Sequence, residues 1–385
     1  MKNTSDATMQ VKTEKQLNQE LDLKTQFAKN FKHQGDLDSI KLVKAPGRVN
    51  LIGEHTDYNG GFVLPLAINY YTWVAFTPRN DRELHIIAND FSNEKVIIEL
   101  DDSMHKDTKQ TWSNYISGVV QELQKKGFTL AGGNLFIAGN VPIGAGLSSS
   151  EQIDPTQAAL AGQAAENNFV GCNCGIMDQL ISALGKESSA LLIDCENLST
   201  RSVPIPSDWE LLIVHSGVER GLVDSEYNQR RRQCESAAAH FGKKTLRGVS
   251  SDELTAHEHT LDLLTFKRAR HVLTENARTL LAAEALAAGD MQTLIKVMAE
   301  SHESMRDDFN ITTPSIDTLV DILSAAGAGQ AGVRMTGGGF GGCVVSIAPA
   351  NIISQLVSAV RDNYQMQTGC IPTLIPAKAV AGAFS

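Results

Sequence analysis

The sequence predicts an α+β fold, because strands and helices are mixed without the regular βαβ repeat of a doubly wound sheet. Apolar and β-branched runs predict strands at 72–77, 85–88, 135–141 and 209–215. The second half is mainly helical, with helices predicted at about 225–240, 273–287, 291–304, 315–326 and 351–365. Two further strands, 333–336 and 343–347, flank a run of glycines.

The length of 385 residues is enough for two domains with substantial cores. A proline-containing stretch at 204–207 precedes the strong strand, so a boundary is predicted near residue 205. Residues 1–22 are mostly polar and predict a frayed or helical extension. The expected division is therefore an extension at 1–22, an N-terminal α+β domain at 23–205 and a C-terminal α+β domain at 206–385.

The composition limits the kinds of partner that the protein is expected to bind. The formal net charge of −10 argues against nucleic acid or an anionic membrane as a partner. No apolar run approaches the length that spans a bilayer, and the N-terminus lacks a signal-peptide core. The six cysteines do not have the paired spacing of a zinc site, so neither disulfides nor structural metal is expected. These features predict a cytoplasmic protein, and we expect it to be a monomer.

The segment 45–68 carries the strongest functional signal. Within ten positions its apolar run is interrupted by Arg48, Asn50, Glu54, His55 and Asp57. Burying such groups unpaired costs several kcal/mol each, so they are expected to converge on a polar ligand. Carboxylates accept hydrogen bonds from sugar hydroxyls, which suits a hydroxyl-rich ligand. The alternative interpretation is a surface loop with ordinary ion pairs.

A glycine- and serine-rich stretch follows the predicted strand at 135–141. Glycines let the backbone approach an anion and point successive N–H groups at it, and serine hydroxyls add donors. The stretch lacks the Gly-Lys-Ser/Thr ending of the Walker motif, which argues against a P-loop NTPase. It is therefore a candidate phosphate loop, made of Gly144, Ala145, Gly146, Leu147, Ser148, Ser149 and Ser150.

The segment 45–68 resembles the signature of galactokinases, members of the sugar, homoserine, mevalonate and phosphomevalonate kinase superfamily. The stretches 144–150 and 335–342 resemble two further superfamily motifs in the expected order, and 170–179 resembles galactokinases specifically. The likeness runs from about residue 40 to about residue 378. It implies two α+β domains with the active site between them. It also implies phosphorylation of α-D-galactose at its anomeric hydroxyl, with ATP as co-substrate and Mg²⁺ as cofactor.

The resemblance also assigns roles residue by residue. Asp178 would be the catalytic base or an electrostatic orienter, in a place where solvent is limited, and Arg48 its cationic neighbour. The alternative for Asp178 is a helix N-cap. The metal ligands would be Ser150 and Glu166, although the context of Glu166 is also that of an ordinary helix. The implied sugar ligands are Glu54, His55, Thr56, Asp57, Gly175 and Tyr227.

Two other functions remain open at this point. One is a non-catalytic galactose sensor on the same fold, and the other is a kinase for a related sugar such as another hexose or N-acetylgalactosamine. The glycine-rich run 337–342 is given a structural role. The basic run 230–232 is predicted to be a solvated helix face.

The chain departs from the family directly after Ser150. Galactokinases continue there with small residues of a helix that runs out from the phosphate loop, and a second helix returns to the metal ligand. Here Glu151 to Thr156 follow, and then a segment that resembles only the returning helix. About four turns of helix are absent. Asp154 and Pro155 are expected to be the N-cap and first residue of the remaining helix.

Overall fold

The computed structural model describes residues 14–101, 104–140, 154–218 and 223–384. Within these ranges the strands are β1 (Lys41–Asn50), β2 (Phe62–Val63), β3 (Pro65–Pro78), β4 (Glu83–Ala88), β5 (Glu94–Glu99), β6 (Gly133–Gly139), β7 (Ser189–Asp194), β8 (Thr200–Pro204), β9 (Trp209–His215), β10 (Gly332–Thr336), β11 (Cys343–Pro349) and β12 (Thr373–Ala377). The α-helices are α1 (Glu14–Phe31), α2 (Ser113–Lys125), α3 (Pro155–Ala164), α4 (Met177–Leu184), α5 (Val223–His240), α6 (Ser251–Ala256), α7 (Leu263–Ala288), α8 (Met291–Ser304), α9 (Pro314–Gly327) and α10 (Ala350–Thr368).

The first half contains a five-stranded sheet in the order β1-β3-β6-β4-β5. Its pairs are antiparallel except for β4 and β6, which run parallel. The strands predicted at 72–77 and 85–88 are confirmed within β3 and β4. The strand predicted at 135–141 is β6, whose last described neighbour is Asn140, so Val141 lies outside the described residues. A smaller sheet joins β2, β7 and β8.

A bulge in β1 precedes the segment that carries the functional signal. The pairing of β1 with β3 shifts between Pro46 and Gly47, so that Pro46 faces Tyr71 while Gly47 faces Ile68. Proline has no N–H to give to the ladder, which makes this position suited to an irregularity. A bulge changes the direction in which the following side chains point. Arg48 follows directly and is exposed, whereas Val49 next to it is buried.

The second half contains an antiparallel sheet in the order β10-β11-β9-β12. The strand predicted at 209–215 is confirmed as β9, and the pair flanking the glycine-rich run as β10 and β11. The predicted helices are confirmed as α5 and α7 to α10, although α7 begins ten residues earlier than expected. Within the described ranges, no helix combines the length and the apolar character needed to cross a membrane. The predicted α+β fold is confirmed.

One hydrophobic cluster joins the two sides of residue 205. It contains Leu51 and Leu66 from the first half together with Ile213, Met298 and Val345 from the second. The proposed boundary therefore divides a chain whose halves share a core, and the domain limits remain predictions. The predicted limit between the N-terminal extension and the first domain, at residue 22, falls inside α1. The α1 residues Leu23 and Phe27 are buried.

The last described residues return to the first half. Beyond β12, the Val380 amide donates to the Ala67 carbonyl at 2.9 Å, and the Gly382 amide donates to the Gly185 carbonyl at 2.7 Å. Gly382 fits closely, since a Cβ there would lie 2.5 Å from the Ala183 carbonyl oxygen. The C-terminal segment thus fastens the end of α4 to a chain region more than 180 residues away in sequence.

Candidate active site

The loop between β1 and β2 carries most of the predicted sugar ligands. Two backbone hydrogen bonds close it at its base. The Leu51 amide donates to the Leu64 carbonyl at 3.1 Å, and the Leu64 amide donates to the Ile52 carbonyl at 3.0 Å. Gly53 has φ +100° and lies against β2, where a Cβ would come within 2.6 Å of the Phe62 carbonyl oxygen. Only glycine meets both conditions. The loop is therefore pressed onto β2, with its polar side chains held in a fixed arrangement.

Arg48 and Asp178 form a bidentate ion pair. The Arg48 Nε donates to Asp178 Oδ1 at 2.7 Å, and Nη2 donates to Oδ2. The Asp178 charge raises the pKa of Arg48 above its ordinary value. The pair joins β1 to the first turn of α4, and Ser182 on the same helix donates to the Pro46 carbonyl at 3.2 Å. The predicted neighbours are thus in contact, 130 residues apart in sequence.

One expectation about Asp178 needs correction. The N-cap position of α4 belongs to Ile176, and Asp178 lies in the first turn with its carboxylate on Arg48, so the N-cap alternative is wrong. Solvent at Asp178 is limited only in part, since 42% of its side chain is exposed. An accessible carboxylate in a fixed orientation is what a reactant approaching from solution requires.

Glu54 is buried and bound from the second half of the chain. Its Oε1 accepts from Gly337 N at 2.9 Å and from Arg334 Nη1 at 3.3 Å. It also lies 3.1 Å from Thr336 Oγ1, whose single proton is shared with the Asn50 carbonyl oxygen at 2.8 Å. Burial raises the pKa of Glu54, and the positive charge of Arg334 opposes that shift. The carboxylate is therefore fixed in place by donors that belong to β10 and the residue after it.

His55 is held in an aromatic group. It has φ +61°, and its ring lies 4.8 Å from that of Phe309 and 5.1 Å from that of Tyr227. Its Nδ1 is 2.9 Å from the Tyr58 hydroxyl, while Nε2 is buried and makes no hydrogen bond within the described part of the chain. Burial lowers the pKa of His55 to about 3, so the imidazole is neutral and can accept as well as donate.

Asp57 and Gly175 are in direct contact. A Cβ at Gly175 would lie 1.8 Å from Asp57 Oδ2, so no other residue fits there without moving the carboxylate. The loop before Gly175 is anchored by Asn167, which accepts from the Cys174 amide at 2.9 Å and donates to the Cys174 carbonyl at 3.3 Å. These contacts bring two predicted sugar ligands together from distant parts of the sequence.

The raised pKa of Asp57 is expected to make the free energy of unfolding depend on pH. Burial, Asp178 and Glu54 raise its pKa to about 7, while the Tyr58 amide and Arg231 oppose the shift. Below pH 4 the carboxyl is protonated in both folded and unfolded chains. Between pH 4 and 7 only the folded state keeps the proton, so this group's contribution to stability falls as pH rises.

We expect Asp57→Asn to raise the free energy of unfolding by roughly 2 kcal/mol at pH 8 and by little at pH 4.5, because the amide stays neutral at both. Urea unfolding of variant and wild type at the two pH values, without sugar, measures the difference. An equal gain at both values, or a loss at pH 8, would contradict the assigned burial of charge.

Thr56 and Tyr227 are placed differently. Thr56 is fully buried, and its hydroxyl lies 2.7 Å from the Phe62 carbonyl oxygen and 2.9 Å from that of Gly53. The Thr56 hydroxyl therefore bonds within the loop. This differs from the expectation that it faces the sugar. The Tyr227 ring lies 5.6 Å from that of Tyr58. Burial, followed by the charges of Asp57 and Asp178, raises the pKa of Tyr227.

Glu166 lies near the ion pair. It belongs to a π-helical turn, Ala165–Val170, that continues α3. Its Oε1 accepts from Gln179 Nε2 at 2.8 Å, and the Cys174 thiol is 3.5 Å from Oε2. Burial and then the Asp178 charge raise the pKa of Glu166. Its sequence therefore forms a helical element, as the alternative interpretation had it, but one that places the carboxylate within electrostatic reach of Asp178.

The helix before Glu166 starts as predicted. Asp154 is the N-cap, and its carboxylate accepts from the amides of Thr156 and Gln157 at 2.9 and 3.1 Å, with Pro155 as the first helical residue. The candidate phosphate loop, 144–150, lies outside the described residues, and so does the predicted metal ligand Ser150.

The glycine-rich run forms the turn between β10 and β11. Gly337, Gly339, Gly341 and Gly342 all have positive φ, which explains a glycine content beyond that of an ordinary tight turn. Gly339 also touches Ile311, where a Cβ would lie 2.6 Å from the Ile311 Cβ. The assigned structural role agrees with this geometry, and the Gly337 amide adds a direct contact to Glu54.

The prediction of a solvated face at 230–232 is wrong for Arg230. This residue is buried, and its guanidinium donates to the carbonyls of Phe309 and Asn310 at 2.8 and 2.9 Å. Carbonyls at the end of a helical turn need donors, and a buried arginine can supply several. Arg230 thereby fixes the turn that places Phe309 on His55, whereas Arg232 is exposed.

The groups that hold Glu54 were not predicted from the sequence, namely Arg334, Thr336 and the buried Glu275. One signal was available. An arginine inside the apolar strand 332–336 has no obvious partner in sequence, and a buried cation requires one.

Comparisons with known proteins agree on one family. The galactokinase galactose-binding signature matches residues 25–78, and the GHMP kinases C terminal family matches residues 282–365. The structure is similar to that of Lactococcus lactis galactokinase complexed with galactose, with a TM-score of 0.86 and 31% sequence identity over 94% of this chain and 98% of that one.

Two more distant structures share the fold. Methanococcus jannaschii mevalonate kinase has a TM-score of 0.60 at 17% identity, over 89% of this chain and 99% of that one. Homoserine kinase from Cytophaga hutchinsonii has a TM-score of 0.57 at 13% identity, over 91% and 98%.

Proposed function

Because the chain belongs to the galactokinase family, we propose that it transfers the γ-phosphoryl group of ATP to the anomeric hydroxyl of α-D-galactose, giving galactose 1-phosphate and ADP. The observation that carries this proposal is the Arg48–Asp178 pair. Asp57 is in contact with Gly175, three residues before Asp178, so this contact supports placing the pair near the predicted sugar ligands.

In the proposed reaction the anomeric oxygen forms a bond to the γ-phosphorus while the bond from that phosphorus to the bridging oxygen of ADP breaks. The proton of the anomeric hydroxyl passes to Asp178, whose two oxygens each keep a lone pair beyond the bond to Arg48. Arg48 keeps Asp178 in one orientation and offsets negative charge near the transferring group. A loose transition state needs little early proton removal, so orientation by Asp178 carries much of its effect.

The proposed sugar contacts follow from the placement of each group. Glu54, Asp57 and neutral His55 supply acceptors for hydroxyls, and the Gly175 backbone borders Asp57. Tyr227, whose ring lies 5.1 Å from that of His55, supplies a further hydroxyl. We assign Thr56 to the loop rather than to the sugar, because its hydroxyl lies between two backbone carbonyls.

Mg²⁺ is proposed as the partner of ATP, with Glu166 as a ligand and Ser150 as a second. A single carboxylate suits this ion, which is commonly bound by one or two carboxylates, water and substrate phosphates. When bound, the cation would neutralise charge on the phosphates. Glu166 fits because burial disfavours its charged form, so a nearby cation would offset an existing cost. The loop 144–150 is proposed to hold the phosphates.

The remaining proposals concern the molecule as a whole. Two α+β domains, divided near residue 205, would enclose the active site. The protein would act as a cytoplasmic monomer, which agrees with its need for ATP and its net charge of −10. Neither nucleic acid nor a membrane is expected as a partner.

The test is release of ADP from Mg·ATP, followed with galactose and with a panel that includes glucose, mannose and N-acetylgalactosamine. We expect galactose to give the highest kcat/KM. Asp178→Asn, purified in the same way, controls for a contaminating kinase. Phosphorylation of another sugar in preference would replace the substrate. Galactose binding without phosphorylation of any sugar would instead favour the sensor.

A further inference from the structure

Arg334 is a cation with no exposed surface, placed between two buried carboxylates. Its Nη1 donates to Glu54 Oε1 at 3.3 Å and to the Leu51 carbonyl at 3.1 Å. Its Nε donates to Ser301 Oγ at 3.1 Å, and its Nη2 lies 3.9 Å from Glu275 Oε1. One side chain of β10 therefore contacts both the backbone and the carboxylate of the loop that follows β1.

Glu275 holds the same loop by its backbone. Its Oε1 accepts from the amides of Gly53 and Glu54 at 3.0 and 3.4 Å, and from Ser301 Oγ at 2.7 Å. On the other side of Glu54, the His271 Nε2 lies 3.1 Å from the Glu54 carbonyl oxygen. The peptide groups and the carboxylate of Glu54 are thus all bound by residues of the second half.

Such a network is a poor way to gain stability alone. Removing two carboxylates and a guanidinium from water is costly, and well-packed apolar residues of similar volume are often at least as stabilising. The network instead fixes the orientation of the Glu54 carboxylate. A planar guanidinium, a hydroxyl and an amide all contact Glu54 Oε1, and together they hold this oxygen in one position. A hydrogen-bonded site discriminates best when its polar groups are fixed before the ligand arrives.

We propose that Arg334 is a positioning residue, which together with Thr336 holds the Glu54 carboxylate in the orientation that binds sugar hydroxyls. This inference rests on the proposed function, in which Glu54 is a galactose ligand. It assigns sugar affinity to side chains of β10 that do not themselves need to touch the sugar. The effect should therefore appear in galactose binding and leave ATP binding unchanged.

The experiment measures galactose Kd by calorimetric titration without nucleotide, and ATP Kd separately. Thr336→Val keeps the shape but removes the hydroxyl that lies 3.1 Å from Glu54 Oε1 and 2.8 Å from the Asn50 carbonyl oxygen, and we expect galactose Kd to rise about 5- to 10-fold. Thr336→Ser returns the hydroxyl and should restore affinity to within about twofold. Arg334→Lys keeps the charge but not the fork, and should raise galactose Kd at least about tenfold.

Arg278→Gln is the matched control. Arg278 donates to the other oxygen of Glu275, Oε2, at 2.8 Å, so its loss disturbs the same buried carboxylate. The hydrogen bonds to the Glu54 carboxylate remain, so galactose Kd should change less than about twofold even if the melting temperature falls. If Arg334→Lys does not fold, the comparison of Thr336→Val and Thr336→Ser with this control still tests the positioning role.

The outcomes are distinguishable from those of the kinase test. A galactose Kd unchanged in Thr336→Val, or raised equally in Thr336→Ser or Arg278→Gln, overturns the positioning role. Galactose binding by the wild type without ADP release overturns only the kinase proposal. A wild type that binds no galactose overturns both.

Discussion

Replacing Asp178 with asparagine is expected to lower kcat by about 100- to 10,000-fold while galactose Kd changes less than about threefold. The variant keeps a group of the same size opposite Arg48 but loses the negative charge and the proton acceptor. Because these act on the reacting hydroxyl rather than on the sugar as a whole, the loss should fall on kcat. Steady-state kinetics together with galactose titration separate the two quantities.

Arg48→Lys is a useful companion. It keeps a positive charge near Asp178, but a lysine cannot reproduce the two parallel hydrogen bonds of the guanidinium. An intermediate loss of kcat would identify orientation of Asp178 as part of its effect. Turnover of Asp178→Asn close to that of the wild type would remove Asp178 from its assigned role.

Binding of Mg·ATP is expected to be at least about tenfold weaker than in a galactokinase that retains the helix after its phosphate loop, with correspondingly low turnover. The expectation comes from the missing helix, whose N-terminus would stabilise an anion at the loop. Distance alone does not forbid a shared ion, because the five steps from Ser150 to Pro155 span up to ~18 Å and the eleven helical steps from Pro155 to Glu166 cover ~16.5 Å. Bringing Ser150 to the ion that Glu166 would hold nevertheless requires the connection to run back along much of α3.

The structure limits how far the helix itself can move. Ala165 and Phe169 pack on Gly118 of α2, where a Cβ would lie 3.0 Å from each of their Cβ atoms. Glu166 is bound to Gln179 of α4. Asp154 caps the other end. The helix is thus tied to two neighbours, so any adjustment would have to come from the connection after Ser150. Without the outgoing helix, the phosphate loop would lack a helix N-terminus, which contributes up to ~2 kcal/mol to anion binding.

Calorimetric titration with Mg·ATP and with galactose tests this expectation, since the proposed sugar-binding residues lie elsewhere and galactose should bind normally. Inserting the outgoing helix of a family member after Ser150 should strengthen Mg·ATP binding and raise turnover. An insertion of equal length made of glycine and serine is the control, because it relieves the distance without supplying a helix. Ordinary affinity for both ligands with brisk turnover would show that the shortened connection is tolerated.

The sequence predicted those parts of the candidate site whose residues lie close together in the chain. Glu54, His55 and Asp57 lie in one short loop, so the pattern alone placed them together, and the family motif supplied Asp178 as the partner of Arg48. The strand β9 and the capped start of α3 were predictable for the same local reason. Each depends on neighbours within a few residues.

The parts that could not be predicted depend on distant contacts. Arg334 binds Glu54 across 280 positions, and no local pattern shows which carboxylate a buried arginine will find. Arg230 looked like one of three solvated cations until the fold placed the carbonyls of Phe309 and Asn310 beside it. The exposure of Asp178 likewise follows from how α4 lies on β1, which its helical sequence does not specify.

The same long separations set an order of events during synthesis. A ribosome adding about 5–20 residues per second would need roughly 14–56 s to proceed from Glu54 to Arg334. For that time the Glu54 carboxylate has no guanidinium to receive it, and burying it unpaired is unfavourable. The fastening of Ala67 and Gly185 by Val380 and Gly382 comes later still. A nascent chain stalled before residue 334 should therefore not be retained on immobilised galactose, whereas the released full-length chain should.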